Sequence, residues 1–135
     1  MNWFRSIAAI LSAPVIYGVI CVPSVGFLMS SSPELLNEQG GTFDVTLTLT
    51  AELIQFVVLV ACGYFSALIA GREELKHGLA VTVVMLAIAI GVQTSFWNSM
   101  LVWHHFVFFA CVLVGTQLGT RLRLRQKGTT VSRVL

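Results

Sequence analysis

Five side chains stand out because they interrupt runs that are otherwise apolar: Glu52, Gln55, Gln93, His104 and His105. A carboxylate and imidazoles exchange protons and contact ions, and an ionisable group inside a membrane span is costly enough to suggest a function. Gln55 stands 16 residues from Gly71, Gln93 15 from Gly78 and His104 15 from Gly119, so the three share a depth and predict a polar layer in the outer third of a membrane. Glu52 sits a turn farther out, in reach of His104 or His105. Three- and four-residue steps put Thr48, Glu52, Gln55, Cys62, Gly63 and Ser66 on one helix face, and His104, Cys111, Gly115 and Gly119 on another. The plainer reading of the layer is interhelical hydrogen-bond glue close enough to the interface to meet water; the sharper ones are contact with a ligand or ion, and proton relay.

Other chemistries find less support. Neighbouring helical residues point about 100° apart, so His104 and His105 cannot jointly chelate one ion, and the third histidine, His77, belongs to the opposite membrane surface. A bis-histidine haem would need a second chain. Cys21, Cys62 and Cys111 lie far apart in apolar runs without CxxC or Cys/His spacing and read as small buried hydrophobes. With no nucleotide loop, catalytic triad, paired catalytic carboxylates or disulfide-exchange motif, the sequence predicts no enzyme, no cofactor and no metal site.

The elements that must position the layer follow from composition. A chain of 135 residues that is 56% hydrophobic and 10% charged is too apolar for water, where about a quarter of residues carry charge. Its apolar residues fall into runs of about twenty, enough to cross ~30 Å of hydrocarbon. The expected fold is all-α: one polytopic domain, a four-transmembrane-helix bundle with spans at about 6–29, 45–70, 79–94 and 100–120. The first run continues to Met29, past the 7–15 residues usual for a signal core, and is therefore read as a span. Pro14 and Pro23 predict a bend in it. Ser32, Pro33 and Glu34 predict a capped surface helix to about Gln39, ended by Gly40 and Gly41, and residues 71–78 a tight charged turn. The alternation of Thr46, Thr48 and Thr50 is strand-like, but an isolated strand could not satisfy its backbone in lipid.

Charge sets the expected orientation. Arg5, Arg72, Lys76, Arg121, Arg123, Arg125, Lys127 and Arg133 all fall on one side, whereas the 33–44 connection carries Glu34, Glu38 and Asp44. The positive-inside bias then places both termini in the cytoplasm, with a bacterial inner membrane as the expected location and residues 121–135 as a basic cytoplasmic tail. Trp97 and Trp103 are expected near the outer interface and Trp3 near the inner one. Arg121, Arg123, Arg125 and Lys127 anchor this topology and offer a surface for anionic lipids or an acidic partner; nothing points to nucleic acid.

Small residues recur at four-residue spacing, Gly63, Ala67 and Gly71 on the second span and Cys111, Gly115 and Gly119 on the fourth. Such rows let backbones approach closely in lipid, within one chain or between chains. The stretch from Gly63, Tyr64, Phe65, Ser66 and Ala67 through Gly71 and Arg72, with His77 and Gly78 opening the third span and Gly115 and Gly119 before Arg121, resembles a set of small uncharacterised four-helix bacterial membrane proteins. The resemblance covers about half the chain and implies the same topology without an activity. Glu52 on the second span departs from small multidrug exporters, which carry a buried glutamate on the first, and the core signature of small fluoride channels is missing. The expected role is an accessory or structural subunit packing with other membrane subunits or copies of itself. The competing role is a small homo-oligomeric transporter or channel lined by the polar layer.

Overall fold

The computed structural model describes residues 3–132; Arg133 lies outside them. Among the described residues the regular structure is helical: α1 (Trp3–Ile16), a π-helical turn (Tyr17–Cys21), α2 (Val22–Ser30), α3 (Val45–Ala70), α4 (Glu74–Ser95) and α5 (Val102–Ser132), with a 3-10 turn at Pro33–Leu35. Four helices, counting Trp3–Ser30 as one, are long and apolar enough to cross a membrane. Phe4, Val15, Val19, Phe27, Leu53, Val83 and Phe106 are among many large apolar side chains left exposed, a surface that suits lipid rather than water.

The first helix carries a π-helical turn between its two prolines. Pro14 and Pro23 each lack an amide hydrogen, and the turn between them widens so that the Val22 amide reaches back five residues to the Tyr17 carbonyl. α3 starts on an aspartate cap, with the Asp44 carboxylate accepting from the Leu47 amide at 2.7 Å, and ends on Gly71 in the left-handed conformation, φ 66°. α3 is the hub, packing against α1, α4 and α5, while α4 also touches α1 and α5. Between them lies an apolar core of Ala13, Cys21, Val58, Leu59, Cys62, Val81, Met85, Ala89, Phe108 and Val112.

Three expectations about local structure need correction. α4 begins at Glu74 rather than at 79, because Glu73 adopts the left-handed conformation (φ 47°) and reverses the chain in few residues. α5 does not end at 120 but runs helically to Ser132, extending the span into the basic segment. The surface helix after Ser32 is only a 3-10 turn; the Ser32 side chain makes no cap, and residues 36–42 form a bridge between Leu36 and Thr42. There Asn37 does the organising: its Oδ1 accepts from the Gln39 and Gly41 amides, and its Nδ2 donates to the Ser99 carbonyl at 2.8 Å. A Cβ at Gly41 would overlap that same carbonyl, so the connection lies flat on the turn between α4 and α5.

Candidate functional site

The two small-residue rows face each other within the chain. A Cβ on Gly63 would overlap the Thr116 carbonyl oxygen, one on Gly119 the Val60 carbonyl, and one on Gly115 would come to 2.9 Å from the Leu59 Cβ. Ala67 is fully buried and Cys111 partly so. Gly71 at the end of its row caps α3 and lies under the Arg5 guanidinium instead.

Toward the Trp97 end, where side chains rather than backbones fill the space between helices, Glu52, Gln93, His104 and His105 form one connected ladder. All four are buried, Glu52 at 4% and His105 at 0% exposure, which replaces the expectation that they reach water at an interface. His104 Nδ1 lies 2.5 Å from Glu52 Oε1, at ion-pair distance but without hydrogen-bond alignment, so that neither of these atoms nor Glu52 Oε2 has a hydrogen-bond partner among the described residues. On its other edge, His104 Nε2 is 3.5 Å from Gln93 Nε2. Gln93 Oε1 in turn meets His105 Nδ1 at 2.5 Å, and His105 Nε2 meets the Trp97 carbonyl at 3.2 Å. The Trp97 indole stacks on the His105 ring, centroids 4.3 Å apart and planes 11° off parallel. Trp97 is 43% exposed, so the ladder runs from a buried carboxylate to the surface of the bundle.

Gln55 stands beside this ladder. It accepts from the Tyr17 hydroxyl at 2.7 Å, so the π-helical turn contributes the polar atom that holds Gln55. Sequence reasoning misses Tyr17 and Asn37, and treats Trp97 only as an interfacial anchor. A phenol inside a span is the signal for the first, since a buried hydroxyl needs a partner. An Asn ahead of two glycines is the signal for the second.

A second polar layer lies at the other end of the core. Thr82 Oγ1 contacts Thr116 Oγ1 at 2.7 Å and accepts from Gln117 Nε2 at 2.8 Å, while Thr120 Oγ1 reaches the Gly63 carbonyl at 3.4 Å. From His104 to Thr116 along α5 is a rise of about 18 Å, and Phe108, Val112, Leu59 and Met85 occupy the interval. The ladder therefore meets the Trp97 end of the molecule and is separated from the opposite end by apolar packing.

The basic segment gathers at that opposite end. Lys127 Nζ donates to Glu74 Oε1 at 2.9 Å and to the Gly71 carbonyl at 3.1 Å, Arg5 Nε donates to the Ile69 carbonyl, and the Tyr64 hydroxyl donates to Gln126. Lys127 is thus engaged with its own chain, while Arg121 and Arg125 are exposed and Arg123 half-buried. Lys76 pairs with Glu73 at 2.7 Å on the surface, and its hydrogen bond and charge hold the Glu73 carboxyl below its ordinary range. Among the described residues no three His, Cys, Asp or Glu side chains gather in a group that could hold a metal ion.

The fold and site define a class: among the described residues, an all-helical protein with four helices long and apolar enough to cross a membrane and a carboxylate–imidazole ladder buried near one end. Comparison with family models, curated proteins and solved structures gave no match, so function is read from this geometry.

Proposed function

We propose that the protein is a small membrane transporter or channel component that takes up and releases a proton through the Glu52–His104–Gln93–His105 ladder. The observation that carries this reading is the choice of partner for the buried carboxylate. A lysine or arginine would make a permanent ion pair, whereas the His104 ring at 2.5 Å lets one proton shift between ring and carboxylate, so the pair can exist charged or neutral. A buried pair built to change charge is costly as mere glue, and the exposed Trp97 side chain stacked on His105 brings the end of the ladder close to the surface. The apolar packing between the ladder and the Thr82–Thr116 layer blocks through-conduction in this conformation, so transport requires a second conformation or a path between copies of the chain. By the positive-inside bias we place the Trp97 end outside and both termini in the cytoplasm, in keeping with a bacterial inner membrane.

Purified protein in liposomes loaded with a pH-sensitive dye, with the membrane potential clamped, tests this directly. Wild type should dissipate an imposed pH gradient faster than protein-free vesicles, and Glu52→Gln should lose most of that flux. Equal rates for the two proteins sink the proposal.

A second reading, an accessory subunit of a larger membrane assembly, is favoured by the first span. Only 17% of its apolar window is buried, against 44% for α3, which leaves most of that helix to be covered by lipid or another protein. Gentle extraction and native mass measurement separate the two: heterologous partners support the subunit role, and a defined homo-oligomer supports transport.

A further inference from the structure

We propose that Gln93 joins His104 and His105 into a single unit that binds one proton shared between the two rings, so that the charge of His105 is set by Glu52, which it does not touch. The proposal rests on the reading of the ladder as a proton site and deepens it by naming the residue that transmits between the rings.

It follows from counting donors and acceptors. Two contacts are with groups of fixed sense: the Trp97 carbonyl can only accept from His105 Nε2, and the Glu52 carboxylate, when ionised, can only accept from His104 Nδ1. Gln93 lies between, one amide atom on each ring, and an amide has one accepting and one donating end. With its oxygen toward His105, that ring must be protonated on both nitrogens and is an imidazolium, while His104 is neutral with its hydrogen toward Glu52. With the amide turned over, its nitrogen donates to a bare His105 Nδ1, so His105 is neutral. His104 then carries a hydrogen on Nε2, and a second proton lies between its Nδ1 and Glu52. Both arrangements satisfy every contact, hold the same number of protons and are electrically neutral as a group. Removing one proton leaves two lone pairs facing each other, at Gln93 or at the His104–Glu52 contact, whichever way the amide points. Adding one to the rings forces two hydrogens together, so an extra proton can be held only on Glu52, whose Oε2 is unpartnered among the described residues. The bridge therefore selects a single proton count and moves the excess charge from one ring to the other when the amide turns, across rings whose centroids are 5.4 Å apart.

The surroundings leave this count intact. From the π-helical turn, Tyr17 spends its hydroxyl on Gln55, and Cys21 lies beside Tyr17. From α5, the Cys111 thiol lies within the field of Glu52. α3 contributes Glu52 itself, and α4 contributes Gln93, its carboxylate Glu74 being at the other end of the molecule near Lys127.

Substitutions at the bridge should place His105 in three distinct states. In Gln93→Leu nothing meets His105 Nδ1, and the ring should be neutral with its hydrogen on Nε2. In wild type it should be intermediate, exchanging between neutral and charged. In Gln93→Glu both bridging atoms accept, so the ring should be locked as an imidazolium. Glu52→Gln provides an independent arm that conserves shape: the amide introduced by that change can donate to His104 Nδ1, every contact is then satisfied with one proton fewer, and His105 should become neutral. In a Gln93→Leu background the same change should leave His105 unaltered. The experiment is ring-nitrogen NMR of histidine-labelled protein in lipid nanodiscs, with His77, in the first turn of α4 at the other end of the bundle, as the internal reference. An ordered series at His105, with the Glu52→Gln effect abolished by Gln93→Leu, supports the proposal. A His105 signal identical across the variants, or a Glu52→Gln effect that survives Gln93→Leu at full size, overturns it. The readout is independent of flux: a ladder that passes this test in a protein that moves no protons would sink the transport reading and leave the bridge standing.

Discussion

Gly63→Ala and Gly91→Ala are the same change at two helix-interior glycines and should move stability in opposite directions. At Gly63 the added Cβ meets the carbonyl oxygen, carbonyl carbon and Cα of Thr116, all of them backbone atoms of α5, so no rotamer change can absorb it. The two helices must separate, and overpacking of this kind costs about 1–3 kcal/mol. Separation also stretches the Thr120 hydrogen bond to the Gly63 carbonyl and the hydroxyl contact between Thr82 and Thr116, together worth about another 1 kcal/mol at the average strength of interhelical hydrogen bonds in bilayers. A Cβ at Gly91 meets nothing within 4 Å, and replacing glycine by alanine in a helix interior gains up to about 1 kcal/mol. Alanine brings the same helix gain at Gly63, where it cancels in the comparison, so the two variants should differ by about 2–4 kcal/mol, read as the separation of their unfolding free energies in detergent titrations followed by circular dichroism. If Gly63→Ala unfolds together with Gly91→Ala, the close approach of α3 and α5 does not hold the bundle, and the packing account is wrong.

Three further changes test other parts of the structure. Glu73→Gly should raise the melting temperature by a few degrees, since Glu73 holds a left-handed backbone that glycine adopts freely and its surface pair with Lys76 contributes little; a loss in thermal stability would contradict this. The same pair makes a pH statement: the Glu73 carboxyl titrates below its ordinary value of 4.5, so its contribution is complete above that value and fades as pH falls through the lowered one, visible as a carboxyl carbon shift that Lys76→Ala should move back up. Lys127→Ala leaves the buried Glu74 carboxylate without its cation and should cost about 1–2 kcal/mol, discounted because Lys127 is half exposed, with Glu74→Gln restoring most of the loss in the double variant.

Position along the helices was legible in the sequence and rotation was not. Counting residues from the ends of the runs placed Gln55, Gln93 and His104 at one level, and the structure brings Gln93 and His104 into contact, with Gln55 held alongside by Tyr17. The boundaries of α3 were readable because both are punctuated, by Asp44 at one end and Gly71 at the other. The start of α4 was not, since Glu73 takes up a conformation that its residue type seldom chooses. Nor was the length of α5, where arginines end the apolar run but not the helix: hydropathy reports lipid, while helix propensity continues through Arg, Leu and Gln. Which side chains meet across helices depends on how each is turned about its axis. A helix that is apolar nearly all round carries little information about that, so the choice of Gln55 as the partner of Tyr17 and the stacking of Trp97 on His105 could be found only in three dimensions.

The packing rows and the polar ladder are linked because α3 and α5 carry both. Backbone contact at Gly63 and Gly119 fixes the separation and rotation of the two helices, and the same rigid pair presents Glu52 and His104 to each other at the Trp97 end. Two buried ionisable side chains are stable in contact only if the approach is set by something stronger than their own attraction, because the loss of hydration is of the same order as the charge interaction that replaces it. The glycine rows supply that constraint from one end, and the Asn37 contact with the Ser99 carbonyl supplies it from the other by holding the 33–44 connection against the turn that carries Trp97. A ladder clamped at both ends keeps its neighbours whatever its proton positions, which is what the proposed shared-proton site requires and what simple hydrogen-bond glue does not.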